Sequence, residues 1–461
     1  MQPLLELKSI IEPKAVAIVG ASENIEKVGG AITRNAIQSS YRGNLYLVNP
    51  SVDSIYQRRS YKSLEEIHGE IDLVEIVVPA NIVPSILEQA VNKRVKGAVI
   101  VSSGFAEVGN KALEDSVIEI ARRGGIRVIG PNCFGIINTA IDLDLTFTFS
   151  KALRGSTAFV SQSGAMCCGT LDWARQEGMG FSKFINLGNK CDIDESDVLE
   201  YLVEDPQTEV IAMYIEGIKD GRRLFNTLKT VCRRKPVVAI KSGVTEAGAR
   251  AALSHTGSIA VSDNVVNAAF KQAGVIRVDD VEELLYLPAA LSHSLPKGRN
   301  VAIISNAGGL AVMAADWCSK LDLKVPKLPL EVAEKVRAFL PPIASHSNPV
   351  DMTGGADYEC YRDVLSAVLE AKSIDMAIVI FVSQGLVTSD GPARGVTDAT
   401  RGRGKPVLAY WMGGASVREG IQILKKSDIT TYSSPAKTAK AAAALASYSN
   451  FKKSLDMHWD L

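Results

Sequence analysis

The sequence predicts an α/β protein built of three consecutive doubly wound units. Short runs rich in Val and Ile recur along the chain, as in strands buried within parallel sheets. Helical patterns separate these runs, which is typical of parallel strands joined by helices. The length of 461 residues exceeds what one hydrophobic core normally serves. No short-period repeat or low-complexity tail is visible, so three units of ordinary size account for the chain.

The first unit is predicted over residues 1–132 and the second over residues 133–291. Strands of the first unit are expected at 15–19, 45–48, 73–78, 97–101 and 127–129. Strands of the second unit are expected at 156–160, 180–187, 210–215, 236–240 and, as a late short strand, 275–278. Each series therefore predicts one parallel sheet.

The third unit is predicted over residues 299–461. Residues 292–299 contain Pro296 and Gly298 and predict a linker that leads into it. Its strands are expected at 300–304, 376–382 and 406–410. The Ala-rich segment 437–447 predicts a terminal helix, because Ala and Lys favour helices and no Pro or Gly interrupts it.

Composition excludes several classes of protein. The 51 basic residues balance 51 acidic ones, whereas binding to nucleic acid or to an anionic membrane usually needs a positive excess. The seven cysteines form no C-x-x-C pair, so neither a zinc ribbon nor a disulfide framework is predicted. No signal-like N-terminus and no apolar run of membrane-spanning length is present. We expect a cytoplasmic protein with no metal site of its own.

The turn after the first strand has the composition of a phosphate-binding turn. Gly20, Ala21 and Ser22 follow the strand, and Gly29 and Gly30 open the next helical segment. Glycines allow backbone N–H groups to approach a phosphate at a helix N-terminus, whose partial positive charge favours the anion. A glycine turn with a purely structural role explains this motif equally well.

The end of the second strand argues against a nicotinamide dinucleotide. Such a site normally has G-x-G-x-x-G and an acidic residue at this strand end. The strand ends instead at Val48, Asn49 and Pro50, which are neutral. A carboxylate there would repel a ligand with a phosphate on its ribose, and CoA is such a ligand. The neutral strand end therefore favours CoA.

Further motifs follow the other strands of the first unit. They contain Pro79 in 77–80, Ser102, Ser103 and Gly104 in 102–105, and Asn132 and Cys133 in 130–135. Because parallel strands end at one edge of a sheet, we expect these motifs to gather there. A nucleophilic role for Cys133 is the less favoured alternative.

His255 stands out among five histidines by its setting. It lies in a Gly-, Ala- and Ser-rich stretch, 242–262, which predicts a loop that moves or packs closely on a phosphate. A neutral imidazole can attack phosphorus and carry a phosphoryl group, because its pKa lies near physiological pH. Glu216 closes a strand and is expected to orient the ring. A solvated strand-end glutamate is the alternative.

A second phosphate motif follows the first strand of the second unit. Ser161, Ser163 and Gly164 run from that strand into a helix, whose free amides and the serine hydroxyls suit a phosphate. The residue two before Ser163 is Ser161 rather than Gly, so G-x-S-x-G is absent and a hydrolase nucleophile elbow is not predicted.

The motifs of the first unit, in this order, resemble the CoA-binding domain of the succinyl-CoA synthetase α-subunit and of its relatives, the NDP-forming acyl-CoA (acetyl-CoA) synthetases. The resemblance continues through the whole chain. It implies a Rossmann-like CoA-binding domain followed by two flavodoxin-like ligase domains. The implied CoA-binding positions are Gly20, Ala21, Ser22, Lys27, Val48, Asn49, Pro50, Pro79, Ser102, Ser103, Gly104, Asn132 and Cys133.

The resemblance also implies roles in the other two units. Residues 254–257 look like the phosphohistidine loop of these synthetases, which makes His255 the carrier. In the third unit, Gly354 and Gly355 would supply a second glycine-rich helix start facing the phosphohistidine, and Asn306 would lie near the acyl carboxylate. Turn glycines without a ligand are the alternative there.

The implied protein is the α-subunit of an ADP-forming acyl-CoA synthetase, which converts acyl-CoA, phosphate and ADP to acid, CoA and ATP. No G-x-x-x-x-G-K-[ST] loop and no ATP-grasp-like segment is visible. We therefore expect ADP or ATP, with Mg, on a separate ATP-grasp β-subunit in an α2β2 assembly. A small carboxylic acid or its acyl-CoA is the expected substrate. The alternatives are a CoA-binding regulatory protein without turnover and an NAD oxidoreductase with His255 as general base.

Overall fold

The computed structural model describes residues 2–256 and 262–456, and of residues 2–6 and 252–256 it describes the backbone alone. The chain divides into two compact units, residues 1–285 and 286–461. The first contains two seven-stranded sheets and the second contains one five-stranded sheet. Most neighbouring strands are parallel, so the predicted α/β class with three mainly parallel sheets is confirmed.

The first sheet comprises the amino-terminal seven strands. Their order across the sheet is β3-β4-β2-β1-β5-β6-β7, and all neighbours except β3 and β4 are parallel. The strands are β1 (Ala15–Val19), β2 (Asn44–Val48), β3 (Ser54–Ile55), β4 (Arg58–Tyr61), β5 (Leu73–Ile76), β6 (Gly97–Ile100) and β7 (Arg127–Ile129). The helices are α1 (Gln2–Ile11), α2 (Val28–Gln38), α3 (Val83–Asn92) and α4 (Lys111–Gly124).

The five strands predicted for this sheet are present, and register brings their ends to one edge. Val19 at the end of β1 pairs with Val48 on one side and Ile76 on the other. Helix α1 was not predicted. It packs against β6, where a Cβ at Gly97 would lie 2.1 Å from a side-chain carbon of Ile10. A glycine in the strand therefore makes room for the helix.

The second sheet has the order β14-β13-β12-β10-β11-β8-β9. Its strands are β8 (Gly135–Asn138), β9 (Leu143–Thr146), β10 (Leu153–Ser161), β11 (Gly180–Asn186), β12 (Val210–Ile215), β13 (Val237–Lys241) and β14 (Ile276–Arg277). Its helices are α5 (Gly164–Glu177), α6 (Glu195–Leu202), α7 (Gly221–Cys232), α8 (Glu246–Thr256), α9 (Asp263–Ala273) and α10 (Val281–Leu291). The hairpin β8–β9 was not predicted and adds an antiparallel edge beside β11.

The third sheet lies in the second unit and has the order β16-β15-β17-β18-β19. Its strands are β15 (Val301–Ser305), β16 (Val350–Asp351), β17 (Met376–Val382), β18 (Val407–Met412) and β19 (Thr431–Tyr432). Its helices are α11 (Gly308–Lys320), α12 (Leu330–Ala338), α13 (Tyr358–Glu370), α14 (Asp390–Thr400), α15 (Arg418–Lys426) and α16 (Pro435–Asp456). Helix α16 contains the predicted terminal helix.

A buried ion pair lies in the interior of the second sheet. Lys183 on β11 donates to Asp205 at 2.8 Å, and both side chains are almost fully buried. Asp205 also accepts from the hydroxyl of Thr208 at 2.6 Å. Buried charges of this kind persist only when paired and hydrogen-bonded. Within the described ranges, no helix is both long enough and apolar enough to cross a bilayer.

Candidate functional site

The turn after β1 is shaped by close backbone contacts. Gly20 has φ +93°, and a Cβ there would lie 2.3 Å from the carbonyl oxygen of Val77. A Cβ at Gly29 would lie 2.2 Å from the carbonyl oxygen of Gly20, so the start of α2 rests directly on the turn. Ser22 donates its backbone N–H to Thr33 in α2 at 3.3 Å. Only glycine fits at these two positions, which leaves a cradle of backbone beside the amino end of α2.

The end of β2 closes this turn from the side. The carbonyl of Val48 accepts from the amides of Gly20 at 3.0 Å and Ala21 at 3.3 Å. Asn49 donates through its side chain to the carbonyl of Ala21 at 2.8 Å. Val48 and Asn49 therefore fix the turn by hydrogen bonding, while Pro50 and Lys27 are exposed at the same edge.

The loops after β5, β6 and β7 meet at the same edge of the sheet. Ser102 donates from its hydroxyl to the carbonyl of Val78 at 2.5 Å and accepts at its own carbonyl from Asn132 N at 2.9 Å. Pro79, Ser103 and Asn132 are exposed. The structure thus brings together all the first-sheet loops for which the sequence predicts CoA contacts.

Two of these positions have chemistry that limits their roles. Cys133 is buried and donates to the carbonyl of Ile100 at 3.3 Å. Burial, with the nearby Glu75 adding to it, raises the pKa of the Cys133 thiol well above its ordinary value, which disfavours a nucleophilic thiolate. The amide of Gly104 donates to Glu107 at 2.5 Å. Glu107, which the sequence analysis did not single out, thus occupies one of the predicted ligand amides.

The carboxyl edge of the second sheet begins with the motif after β10. Ser161 is buried and bonds in both directions with Ser163: its hydroxyl donates to Ser163 O at 3.1 Å and accepts from Ser163 N at 3.0 Å. Ser163 caps α5 by accepting from Met166 N at 3.4 Å. Gly164 is the first residue of that helix, whose early amides lack intrahelical acceptors. The predicted strand-to-helix phosphate motif therefore has the expected local structure.

Gln162 joins this motif to the end of β12. Its side-chain oxygen accepts from the amides of Glu216 and Gly217, both at 2.9 Å. Its side-chain nitrogen donates to the carbonyl of Gly217 at 2.9 Å and also to Glu195. The buried Lys190 donates to the same Glu195 carboxylate and to the Gly217 carbonyl, both at 2.7 Å. The backbone of Glu216 is therefore held from two sides.

The Glu216 side chain is half-buried and lies among polar groups of β12 and β13. Tyr214 shares side-chain hydrogen bonds with Glu216 and Ser242. Burial raises the pKa of Tyr214, and Glu216 raises it further, so the phenol stays protonated. Burial holds the pKa of Lys241 below its ordinary value, while the carboxylates of Asp263 and Glu216 favour its charged form. A carboxylate, a phenol and an ammonium group thus share this edge.

His255 lies in the last turn of α8, and its side chain is outside the described part of the structure. The predicted loop over 242–262 is wrong for residues 246–256, which are helical; residues 257–261 are outside the described ranges. Alanines at 247, 249, 251 and 252 explain the helix, because Ala has the highest helix propensity. Helix α8 follows β13 after a four-residue connection from Lys241.

The predicted residues of the third sheet are organised by Asn306, which is buried. Its side-chain nitrogen donates to the carbonyl of Val382 at 2.9 Å, and its oxygen accepts from Val382 N at 2.8 Å. Gln384 donates to the Asn306 carbonyl at 3.0 Å. Both polar atoms of the Asn306 amide therefore hold β15 to β17.

The sequence predicts a helix start at Gly354 and Gly355, and this prediction is wrong. They lie in a turn, and α13 begins at Tyr358 with Asp357 as its cap, which accepts from Cys360 N at 3.1 Å. Aspartate is a better helix cap than glycine, so the helix starts after Asp357, at Tyr358, three residues beyond Gly355. A Cβ at Gly354 would lie 2.2 Å from the side-chain oxygen of Gln384, which explains the glycine there.

Sequence reasoning missed several residues of the second-sheet edge. These are Gln162, Asn189, Lys190, Glu195, Tyr214 and Lys241. Buried Lys is rare unless paired, so the position of Lys241 as the last residue of an apolar strand was an available signal. Which of them pair depends on contacts between distant segments, and spacing along the chain does not reveal those.

Family models match the chain in three consecutive segments. They are described as a CoA binding domain over residues 14–139, a succinyl-CoA ligase like flavodoxin domain over residues 154–291 and a ligase-CoA domain over residues 301–457. The glycine cradle lies in the first segment, and Glu216 with its neighbours lies in the second. Fold and site together define a protein of the succinyl-CoA-ligase-like class.

Comparisons over the full length narrow this class. The chain is 42% identical to the α subunit of acetate–CoA ligase (ADP-forming) II of Pyrococcus furiosus, over 95% of this chain and 97% of that relative. It is 40% identical to acetate–CoA ligase (ADP-forming) I of Archaeoglobus fulgidus, and it spans 64% of that longer protein. The structure of dinucleotide forming acetyl-coenzyme A synthetase 1 of Ca. Korarchaeum cryptofilum, in complex with phosphate and ADP, matches with a TM-score of 0.93 and 35% identity over 98% of both chains. The chain belongs to the family of ADP-forming acetate–CoA ligases and resembles their α subunits.

Proposed function

We propose that this protein is the α-subunit of an ADP-forming acyl-CoA synthetase, an acid–thiol ligase that interconverts acyl-CoA, phosphate and ADP with acid, CoA and ATP. The observation that carries the proposal is that the carboxyl edges of the first and second sheets both present candidate ligand sites within one compact unit. The first sheet presents a glycine-lined backbone cradle, and the second presents Glu216 beside Lys241 and the amino end of α5. This set suits the formation of an acyl phosphate from a CoA thioester and the transfer of its phosphoryl group to a carrier.

The reaction divides into three steps that balance. Inorganic phosphate attacks the thioester carbonyl, and CoA leaves as its thiol to give an acyl phosphate. An imidazole nitrogen of His255 then attacks phosphorus, so a P–N bond forms and the carboxylate leaves. Finally an ADP oxygen takes the phosphoryl group and frees the imidazole. A covalent carrier allows chemistry at two sites that no single transfer spans.

Each group of the second edge has a separate role in these steps. Glu216 accepts a ring N–H of His255 and favours the tautomer whose other nitrogen is nucleophilic. Lys241 and the first amides of α5, after Ser161, Ser163 and Gly164, offset phosphoryl charge. Gln162 fixes the backbone of Glu216 from the side. In the third domain, Gly354 and Gly355 are the proposed phosphate contacts, and Asn306 is proposed to lie near the acyl carboxylate.

The residues of the first edge fit CoA on structural grounds. The closely packed Gly20 and Gly29 bring the turn directly against the amino end of α2, where a phosphate is favoured. Asn49, which holds the turn by hydrogen bonding, adds no negative charge next to a phosphorylated ribose. The exposed Lys27, Pro50, Pro79, Ser103 and Asn132 and the half-buried Ser102 and Gly104 line the same edge. CoA bound here would supply the thiol of the thioester.

The proposal includes a partner and a domain plan. The three domains are residues 1–132, 133–291 and 299–461, and an ATP-grasp β-subunit would hold ADP or ATP with Mg in an α2β2 complex. The relatives' designation as α subunits supports a second subunit. None of the seven cysteines forms a disulfide, which supports a role in the reducing cytoplasm.

The test is transfer of labelled phosphate to the protein. The full chain with its partner subunit should become labelled from γ-labelled ATP, and with acetyl-CoA and labelled phosphate. The label should be acid-labile and base-stable, as in a phosphohistidine. His255→Asn should abolish both labelling reactions. His68→Asn, which changes a histidine far from His255 in the sequence, should leave them intact. Labelling that survives in His255→Asn would overturn the proposal.

The same preparation separates the alternatives. A regulatory CoA-binding protein would bind CoA but show no label and no turnover. An NAD oxidoreductase would bind NAD in preference to CoA, and neutral Asn49 at the end of β2 tells against it. Activity against a panel of carboxylic acids would then identify the substrate.

A further inference from the structure

One short segment of the second sheet contacts both candidate ligand sites. Residues 187–190, which we call the bridge loop, follow β11 at the carboxyl edge. Asn189 faces the loops of the first sheet, and the next residue, Lys190, faces the end of β12. The bridge loop therefore stands between the CoA cradle and the Glu216 site.

On the CoA side, Asn189 uses every polar atom of its amide. Its nitrogen donates to Glu107 at 2.6 Å and to Glu114 at 2.9 Å, and its oxygen accepts from the Asn132 side chain at 3.3 Å. Its backbone N–H donates to the carbonyl of Pro131 at 2.9 Å. One residue thus connects three separate pieces of the first-sheet edge.

Glu107 carries this contact into a predicted CoA loop. Its carboxylate accepts from the amides of Gly104 at 2.5 Å and Phe105 at 3.2 Å. Although burial opposes it, hydrogen bonds from Asn189 and Gly104 hold the pKa of Glu107 below its ordinary value. Asn189 therefore stabilises the carboxylate that orders the loop.

On the other side, Lys190 bonds the groups that fix Glu216. Its ammonium donates to Glu195 and to the carbonyl of Gly217, which adjoins Glu216. Close packing leaves the bridge loop little room to adapt, since a Cβ at Gly188 would lie 2.3 Å from the carbonyl oxygen of Pro131. A displacement of Asn189 is thus passed to Lys190 through one peptide link.

We infer that Asn189 is a positioning residue that couples CoA binding to phosphate binding at the Glu216 site. A ligand that accepts a hydrogen bond from the Gly104 amide competes with Glu107 for that amide and so weakens the bond between Glu107 and the loop. Asn189 transmits this change to the backbone beside Glu216. Coupling between two ligands is reciprocal, so each ligand changes the affinity of the other by the same factor. This inference rests on the proposed function.

The experiment measures CoA affinity by calorimetry on the full chain, with and without saturating inorganic phosphate. For the unchanged protein we expect the two affinities to differ by about fivefold or more, the usual range for coupled sites. In Asn189→Ala the ratio should approach one, while CoA still binds. The matched control is Asn92→Ala, since Asn92 also bonds a glutamate, Glu65, but is exposed at the end of α3. Its ratio should match that of the unchanged protein.

A second variant guards against a folding defect in Asn189→Ala. Glu107→Gln keeps the shape of the side chain and removes the charge, so the coupling ratio should fall in a protein whose thermal unfolding is unchanged. A ratio of one in the unchanged protein, or an undiminished ratio in both variants, would overturn the inference. Failure of the unchanged protein to bind CoA at all would instead overturn the proposed function.

Discussion

Gln162 and Gly217 are joined by two hydrogen bonds of 2.9 Å, one from Gly217 N to the Gln162 side-chain oxygen and one from the Gln162 side-chain nitrogen to the Gly217 carbonyl. The same Gln162 oxygen accepts from the amide of Glu216. The side chain of the residue that follows the neighbouring β10 therefore sets the geometry at the end of β12.

Replacing Gln162 with Ala should slow the overall reaction more than it weakens ligand binding. The two amides of residues 216 and 217 would lose their acceptor, and the Glu216 carboxylate would shift. A misplacement of about 1 Å at a reacting group can cost about 100-fold in rate. We expect a fall of that order in kcat, measured as ATP formation with the partner subunit present, and an unchanged affinity for CoA.

The matched control is Gln176→Ala, because Gln176 is exposed on α5 of the same domain. Its kcat should equal that of the unchanged protein. If Gln162→Ala retained full kcat, the placement of Glu216 by this side chain would be refuted.

Replacing Gly20 with Ala should weaken CoA binding by at least about tenfold, which corresponds to about 1.4 kcal/mol. Two effects act together: the positive φ of +93° disfavours Ala, and its Cβ would lie 2.3 Å from the Val77 carbonyl oxygen. Gly125→Ala is the control, because Gly125 at the end of α4 also has a positive φ, +66°, but nothing within 4 Å of a Cβ. Calorimetry should show CoA binding lost or weakened only at position 20, and equal affinity in both variants would contradict a CoA role for the turn.

The short strands β3, β4, β16 and β19, which lie at or next to sheet edges, were not predicted from sequence. Most of the other strands could be predicted because they are apolar runs. All five residues of β1 are buried, for example, and its predicted bounds are the observed ones. Strands β8 and β9 could not be found this way. The pairing of β8 with β11 is a contact between distant segments, and β9 joins the sheet through β8. The buried Asn138 at the end of β8 donates to the carbonyl of Ile11 in α1 at 2.8 Å, which is another such contact.

In the candidate site, the positions of the loops could be predicted from sequence, but the partners of their side chains could not. Strand ends followed by Gly, Ser or Asn predict an edge of a sheet correctly, because parallel topology places all such ends together. What the side chains do there depends on partners from other segments. Asn306 is predicted to lie near the acyl carboxylate, and the sequence gives no sign that its amide bonds both backbone atoms of Val382. The helix at 246–256 was missed because small residues were interpreted as a loop signal although Ala favours helix.

Replacing Lys241 with Met should slow phosphorylation of the protein while preserving its fold. Met keeps the length of the buried side chain and removes its positive charge. Loss of one group that stabilises developing charge typically costs about 100-fold or more in rate. We expect a fall of this order in the rate of labelling from ATP, measured by rapid quench, together with a higher KM for phosphate.

Lys271→Met provides the comparison, since Lys271 is exposed on α9 of the same domain. It should label at the normal rate. A normal labelling rate in Lys241→Met would remove Lys241 from the proposed phosphoryl site.

Glu75 is fully buried on β5, and within the described part of the chain neither of its carboxylate oxygens has a hydrogen-bond partner. Burial raises its pKa well above the ordinary value of 4.5, and the nearby Asp144 raises it further. The folded protein therefore keeps a proton on Glu75 at pH values where the unfolded chain has lost it. The stability from this proton is fully present below the unfolded pKa and is lost as pH rises through the folded one.

Glu75→Met should consequently be more stable than the unchanged protein at alkaline pH. Met fills a similar volume without an unpaired polar group, whose burial costs about 1–3 kcal/mol. The gain in free energy of unfolding should be smallest below about pH 4, where the unfolded carboxyl is also mostly protonated, and should grow towards about pH 8. Asp144, whose pKa is raised to about 6, titrates in both proteins and so adds a slope common to the two.

Urea unfolding at several pH values measures the difference in stability. The control Glu119→Met, on the exposed face of α4, should show no such growth with pH. A difference between Glu75→Met and the unchanged protein that stays constant across this range would mean that Glu75 is ionised in the folded state and has a partner that the structure does not place beside it.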